Sequence, residues 1–242
     1  MKRHIPNTMT LLNLLSGAIA VIHAVNGQFV GAALFVFLGI FFDFFDGFFA
    51  RKLKVQSDLG LQLDSLADMV TSGLVPGVVM YKLLDMAMLD WGGSDLSRTI
   101  GLPLIPLIGL LIPLASAYRL ANFNIDTEQQ NYFKGLPTPA NALLILSLPL
   151  IMEFQNNDAF NVIILNKWFL MAVTLVSCYL MNSGIRLFAL KFKTYSFKAN
   201  ATRYIFIMLC GVLLIILQFA AIPLLILLYI AMSVLDNYSS KL

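Results

Sequence analysis

Charged residues are scarce in this 242-residue chain, at 12% of the sequence against 59% hydrophobic residues. An ordinary soluble domain carries about 25% charged and about 45–50% apolar residues. The shortage of charge therefore argues against a soluble domain, and the long apolar runs indicate a polytopic membrane protein forming one domain over residues 1–242. The net charge of +3 is too small to indicate a nucleic-acid partner.

Cysteine and histidine are equally few, with two residues of each. Cys178 and Cys210 both lie inside apolar runs, and their spacing predicts neither a disulfide nor a metal site. Buried small hydrophobic side chains are the simpler interpretation. His4 and His23 flank the first apolar run and have no ligand partner close by in sequence.

The apolar runs are long enough to cross a bilayer, which takes about 17–25 helical residues. The predicted fold class is all-α, a polytopic transmembrane helical bundle of about eight spans. Ala220 to Pro223 alone separate the last two spans, which indicates either a tight hairpin or one broken segment. The predicted spans lie near 8–25, 28–51, 58–83, 100–122, 137–153, 166–186, 203–219 and 221–237.

Lysine and arginine predict the orientation, because cytoplasmic loops carry an excess of these residues. With the N-terminus inside, thirteen of the 16 Lys and Arg residues fall in inside loops and three, Lys82, Arg98 and Lys167, fall outside. This asymmetry favours an even number of spans. We therefore expect both termini and the active site on the cytoplasmic side, and a bacterial inner membrane as the location.

Four aspartates fall within spans two and three: Asp43, Asp46, Asp64 and Asp68. An ionised aspartate inside a span costs at least about 2.5–3.5 kcal/mol on insertion scales. The spacings i, i+3 and i, i+4 place each pair on one helix face. A polar link over residues 51–57 lets the two helices run antiparallel, so the sequence predicts that the four carboxylates meet near the cytoplasmic surface.

One arginine, Arg51, cannot neutralise four carboxylates, whereas bound divalent cations can. A ligand set of oxygens alone suits Mg²⁺, Mn²⁺ or Ca²⁺ rather than zinc. The small residues Gly47, Ala50 and Gly60 lie on the same two helices and predict a close approach by a ligand. Close packing between helices is the alternative interpretation of the small residues.

The pattern D-x2-D-G-x2-A-R-x8-G-x3-D-x3-D over Asp43–Asp68 resembles the signature of the CDP-alcohol phosphotransferase family at every fixed position. Enzymes of that family displace CMP from a CDP-linked substrate with an alcohol, in the membrane, using divalent metal. The resemblance implies a six-span core, about 5–186, with an additional C-terminal hairpin at about 203–237. It also implies a homodimer surrounded by membrane lipid.

The same resemblance implies a role for each matching residue. The four aspartates would bind two metal ions, and Asp68 would also act as the general base. The residues expected to contact the CDP-linked substrate are Gly47, Ala50, Arg51, Ser57 and Gly60.

Two further stretches, 5–17 and 119–140, resemble the branch of the family that transfers a phosphatidyl group from CDP-diacylglycerol to L-serine with release of CMP. In that branch R-L-A-R-F-N is usual, whereas Asn122 stands here at the fourth position, which removes a positive charge near the acceptor. The resemblance covers most of residues 5–140.

Polar residues of the first span, Thr8, Thr10 and Asn13, offer hydrogen bonds to cytidine or its ribose, and these residues are predicted to bind CDP-diacylglycerol. Helix capping and polar contacts at a span end are the alternative interpretation. The carboxylate of serine requires a cation, and the candidates are Arg119, Lys134 and Arg186. Each of them is also explained as an ordinary inside-loop charge.

Two other functions stay open. Within the family, the acceptor could be glycerol 3-phosphate, inositol or an amino alcohol, although a phosphorylated acceptor would require more arginines than the single Arg119 before the loop 124–134. A divalent cation transporter would also place carboxylates in spans. Transporters hold such sites near the midplane within internal repeats, whereas here the carboxylates lie near one face and no repeat is visible.

Overall fold

The computed structural model describes residues 4–89, 104–125, 132–155, 157–188 and 197–239. Helices dominate this part of the chain, in agreement with the predicted fold class. They are α1 (His4–Val25), α2 (Phe29–Leu53), α3 (Asp58–Asp68), α4 (Val75–Leu89), α5 (Leu111–Ile125), α6 (Thr138–Gln155), α7 (Asp158–Ile164), α8 (Lys167–Asn182), α9 (Phe197–Leu217) and α10 (Ala221–Ser239).

Short irregular elements join several of these helices. A π-helical turn, Met69–Leu74, links α3 to α4, and the 3₁₀ turns Pro106–Leu110 and Gln218–Ala220 precede α5 and α10. Two three-residue strands, β1 (Tyr132–Lys134) and β2 (Arg186–Phe188), pair antiparallel, with Lys134 opposite Arg186.

Each of the eight predicted spans corresponds to one helix or to two consecutive helices. By length and composition, five stretches of the described chain can cross a membrane, or six if α7 and α8, bent by 63°, form one span. This confirms a polytopic membrane bundle. The sequence predicted neither α7 nor the strand pair, and the predicted start of span four at residue 100 lies outside the described residues.

The C-terminal stretch 204–235 folds back on itself and does not form one long rod. The rings of Phe206 in α9 and Tyr229 in α10 have centroids 5.6 Å apart, which two residues so distant in sequence could not reach along one helix. Gln218, with φ of 48°, reverses the chain between them. The two helices therefore form the hairpin that the sequence left open.

Small residues let the first two helices approach closely. Ala20 and Ala24 of α1 and Ala32 and Ala33 of α2 are fully or almost fully buried, and they form part of the central apolar core. Large apolar side chains such as Leu34 and Phe44 are exposed instead, as expected for a surface that faces lipid tails. The contact between α1 and α2 is therefore close, whereas the larger core side chains, such as Met80, Leu84 and Leu146, belong to other helices.

The link between α2 and α3 sets the direction of α3. Lys54 takes a left-handed conformation with φ of 54°, and its N–H donates to the carbonyls of Ala50 and Arg51. Ser57 then caps α3 through its Oγ, which accepts a hydrogen bond from the Gly60 N–H at 3.1 Å. These two caps turn the chain back antiparallel, as the polar link 51–57 predicted.

Cys178 and Cys210 are both half-buried free thiols.

Candidate active site

The carboxylates of three of the four intramembrane aspartates come together between α2 and α3. Asp43, Asp64 and Asp68 each direct one carboxylate oxygen into a group whose members lie within 4.8 Å of one another. Three like charges at this distance repel one another strongly in a half-buried setting, so the group requires positive charge.

The residues present fit a hard divalent cation. Asp64 Oδ1 is buried and has no hydrogen-bond partner among the described residues, which is a costly state for a carboxylate oxygen. The ligand atoms are all oxygens, as Mg²⁺, Mn²⁺ and Ca²⁺ prefer. The geometry therefore suits the metal site that the sequence predicted.

Asp46 lies beside this group but is held differently. It is buried, at 6% exposure, and accepts a hydrogen bond of 2.6 Å from Thr10 Oγ1. It is not one of the three aspartates whose oxygens converge. Its role as a fourth metal ligand stays a prediction.

A cleft of about 390 Å³ opens between the start of α1, the end of α2 and the start of α3, and we call it the α1–α3 cleft. Its lining brings together most of the residues predicted to bind the CDP-linked substrate, with two of the aspartates: Thr10, Asp46, Gly47, Ala50, Ser57, Gly60 and Asp64. Asn7 and Gln56 also line it, and the sequence interpretation missed both. Asn7 lies three residues before Thr10, so the helical spacing was the available signal.

The two glycines keep space open at this cleft. A Cβ at Gly60 would lie 3.2 Å from Ser57 Oγ and 3.5 Å from Asn7 Oδ1, in the space between two polar groups of the lining. A Cβ at Gly47 would lie 3.4 Å from Arg51 Nη1, so the exposed arginine folds back over the glycine. The predicted approach of a ligand to these two glycines stays a prediction.

A second cleft, of about 420 Å³, lies on the other side of the carboxylates between α2, α3, α5 and the start of α6, and we call it the α3–α5 cleft. Its wall includes Asp43, Asp68, Arg51, Arg119 and Thr138. The two clefts share three lining residues: Asp46, Gly47 and Asp64. Two ligands entering from different sides would therefore meet at the aspartates.

Arg119 of α5 connects the second cleft to a third. Its side chain is 8% exposed, and its Nε is buried with no hydrogen-bond partner among the described residues. It also lines the α5–α8 cleft, a space of about 370 Å³ to which Asn122, Lys134, Asn182 and Ser183 contribute as well. A buried guanidinium N–H without a partner is a donor available to an anionic ligand.

The structure does not bring every predicted residue to a cleft. Thr8 is exposed, and its hydroxyl donates to the carbonyl of His4 in its own helix. Arg186 does not line any of the three clefts, whereas Lys134, its partner in the strand register, does. The binding roles of Thr8 and Arg186 remain predictions.

Asn13 reaches the site indirectly. It is fully buried, and its Nδ2 donates to Asp68 Oδ1 at 3.2 Å. It thus contacts one of the aspartates, and it does not line the α1–α3 cleft. Its predicted contact with CDP-diacylglycerol is not tested by this arrangement.

Comparison with known proteins identifies a family that this chain resembles. The sequence profile described as CDP-alcohol phosphatidyltransferase matches residues 3–179. A CDP-diacylglycerol–serine O-phosphatidyltransferase of Bacillus subtilis (strain 168) is 34% identical over 149 residues, which are 60% of this chain and 75% of that protein.

Other relatives are similar over a shorter share of their own length. An archaetidylserine synthase of Methanothermobacter thermautotrophicus is 32% identical over 146 residues, 59% of this chain and 56% of that protein. A CDP-diacylglycerol–serine O-phosphatidyltransferase of Saccharomyces cerevisiae is 30% identical over 161 residues, 60% of this chain and 53% of that protein. The chain thus spans little more than half of these two relatives, and the α9–α10 hairpin lies beyond the profile match.

Proposed function

The chain belongs to the CDP-alcohol phosphatidyltransferase family, and from that premise we propose that it transfers the phosphatidyl group of CDP-diacylglycerol to the hydroxyl of L-serine and releases CMP. The observation that carries the proposal is the cluster of three aspartates where two clefts meet, because a transfer between two substrates requires both of them at one reacting centre. Two of the relatives are CDP-diacylglycerol–serine O-phosphatidyltransferases, which supports serine as the acceptor.

The α1–α3 cleft is the proposed site of the cytidine diphosphate. Asn7, Thr10 and Gln56 offer uncharged hydrogen-bonding groups around it, as a base and a ribose require. Arg51, folded over Gly47, can bind a phosphate oxygen. Exposed Phe44 and Phe48 on the same helix can lie along the acyl chains at the lipid surface.

The α3–α5 cleft is the proposed site of serine. The free Nε–H of Arg119 can donate to the carboxylate of serine, which directs the serine hydroxyl towards Asp68 in the same lining. Lys134 and Asn122 line the adjoining α5–α8 cleft with Arg119, where they can add a positive charge and a hydrogen bond for the same substrate. Burial of the guanidinium makes its attraction for an anion stronger than at an exposed surface.

The reaction that follows is a displacement at phosphorus. The serine hydroxyl oxygen forms a bond to the phosphatidyl phosphorus while the bond from that phosphorus to the CMP oxygen breaks. Asp68 accepts the hydroxyl proton, and CMP leaves as the anion on the side of the α1–α3 cleft. Divalent ions, when bound by Asp43, Asp64 and Asp68, supply positive charge that stabilises the attacking and leaving oxygens.

The sidedness and assembly of the enzyme are part of the same proposal. The excess of Lys and Arg in predicted inside loops supports an active site that faces the cytoplasm, in a bacterial inner membrane. A water-soluble acceptor would reach the aspartates from that side. A homodimer with two Mg²⁺ or Mn²⁺ ions per site is the expected form, on the resemblance alone.

An acceptor screen tests the proposal. Purified protein receives CDP-diacylglycerol, Mg²⁺ or Mn²⁺, and one labelled alcohol at a time: serine, glycerol 3-phosphate, inositol or ethanolamine. Serine should support CMP release together with a labelled lipid, and a chelator should abolish both. Release with another alcohol but none with serine would show that the acceptor is wrong. Cation flux into liposomes without any CDP-diacylglycerol requirement would favour the transporter interpretation instead.

A further inference from the structure

Regular helix ends directly after the proposed base. α3 stops at Asp68, and the next six residues, Met69–Leu74, form a π-helical turn before α4 begins. Such turns insert one extra residue into a helix and often occur at functional sites. Here the turn places Thr71, Ser72 and Gly73 in fully buried positions one after another.

Thr71 fills a socket made by two glycines of other helices. A Cβ at Gly17 of α1 would overlap Thr71 Oγ1, and a Cβ at Gly39 of α2 would lie 2.6 Å from Thr71 Cγ2. Thr71 itself is 0% exposed. A residue larger than glycine would fit at Gly17 or Gly39 only if Thr71 moved. The helices α1 and α2 and the π-turn therefore meet at the side chain of Thr71.

The socket is linked to the carboxylates through Asn13. Thr71 Oγ1 donates to the backbone carbonyl of Asn13 at 3.1 Å, and the side chain of Asn13 donates to Asp68 Oδ1 at 3.2 Å. A Cβ at Gly39 would also lie 2.8 Å from Asn13 Oδ1, so the same glycine gives space to the amide. Thr71 itself lines none of the three clefts, whereas its partner Asn13 contacts the proposed base.

We propose that Thr71, seated between Gly17 and Gly39, is a positioning residue that fixes the Asp68 carboxylate by holding Asn13. This inference rests on the proposed function, because it takes Asp68 as the proton acceptor and a metal ligand. Without the Thr71 hydroxyl, α1 can shift at Asn13, and the amide loses its direction towards Asp68. The carboxylate then samples orientations in which it neither accepts the proton nor completes the metal group.

The test compares Thr71→Val with Thr71→Ser. Valine keeps the shape and removes the hydroxyl, whereas serine keeps the hydroxyl. Thr174→Val is the matched control, because Thr174 is equally buried and its hydroxyl donates to Leu170 O within its own helix, α8. Two readouts are taken on purified protein: kcat and KM for CMP release, and the Kd for Mn²⁺ from the electron paramagnetic resonance of the free ion.

Thr71→Val should lower kcat about tenfold, leave both KM values within about twofold, and weaken Mn²⁺ binding several-fold, since direction at Asp68 is lost. Thr71→Ser should restore both readouts, and Thr174→Val should change neither. In a background of Asn13→Ala, Thr71→Val should cost nothing further, because both changes act on one contact.

Several results would overturn the inference: wild-type kcat and Mn²⁺ affinity in Thr71→Val, equal losses in Thr71→Val and Thr71→Ser, or additive losses with Asn13→Ala. If Thr71→Val does not fold, Thr71→Ala takes its place, because alanine and serine both lack the Cγ2 methyl and differ only in the hydroxyl; the same expectations then apply to the comparison of these two variants. A wild-type protein inactive with serine would refute the proposed acceptor only, since the Mn²⁺ measurement still decides the role of Thr71.

Discussion

Replacement of Arg119 by methionine is the sharpest test of the acceptor site. Methionine keeps much of the length of the side chain and removes the guanidinium, including the Nε–H that has no partner among the described residues. The proposed partner of that group is the serine carboxylate. The variant should therefore bind serine poorly while its α1–α3 cleft, which Arg119 does not line, stays intact.

The structure sets the expected magnitude. At 8% exposure, the guanidinium is largely shielded from solvent, so the value for a hydrogen bond to a charged group applies, about 1.5–3 kcal/mol. With about 1.4 kcal/mol for each factor of ten, kcat/KM for serine should fall by about 10- to 150-fold. The KM for CDP-diacylglycerol should change little.

Steady-state CMP release with serine and with ethanolamine as acceptors is the assay. Ethanolamine lacks the carboxylate, so the loss caused by Arg119→Met should be confined to serine. Arg186→Met is the matched control, because Arg186 was an equal candidate by sequence but does not line the three clefts. An equal loss with both acceptors, or a larger serine-specific loss in Arg186→Met, would refute the placement of serine against Arg119.

Three further changes test other parts of the molecule. Asp68→Asn should lower kcat by about 10²- to 10⁴-fold with CDP-diacylglycerol binding retained, and substantial turnover in that variant would contradict a general-base role. Gly60→Ala adds a Cβ 3.2 Å from Ser57 Oγ and should raise the KM for CDP-diacylglycerol several-fold, whereas Gly211→Ala, with nothing within 4 Å, should not. Ile226→Ala in α10, at 9% exposure, should lower the free energy of unfolding by about 2–5 kcal/mol, because it removes a side chain packed in the core. Leu227→Ala, at 60% exposure, should have little effect. Equal shifts in the melting temperature of the two variants would contradict the packing of the hairpin against the core.

Prediction from sequence succeeded where the signal was local and periodic. The helical spans follow from the length of the apolar runs, and the C-terminal turn follows from a break of a few residues between two of them. The strands β1 and β2 were missed because three residues are too short to show a period of two. The π-turn was missed because its residues are as apolar and small as those of any span.

The cluster of aspartates was predictable because helix geometry and a short link allow few arrangements of these residues. Spacings of three and four residues place the carboxylates on single helix faces, and the short polar link turns the second helix back towards the first. Charge cost then requires a cation wherever those faces meet. The contact between Asn13 and Asp68 had no such local signal, since the two residues are 55 positions apart.

The sequence by itself thus determined a membrane bundle with a site made of aspartate carboxylates, because spans and helix faces depend on residues only a few positions apart. The tertiary structure alone decided which of several equivalent residues belong to that site. It gathered Asp43, Asp64 and Asp68, set Asp46 against Thr10, and buried Arg119 beside them. Such choices depend on how separate helices pack. Packing is set by contacts between residues far apart in the sequence, which local patterns do not show.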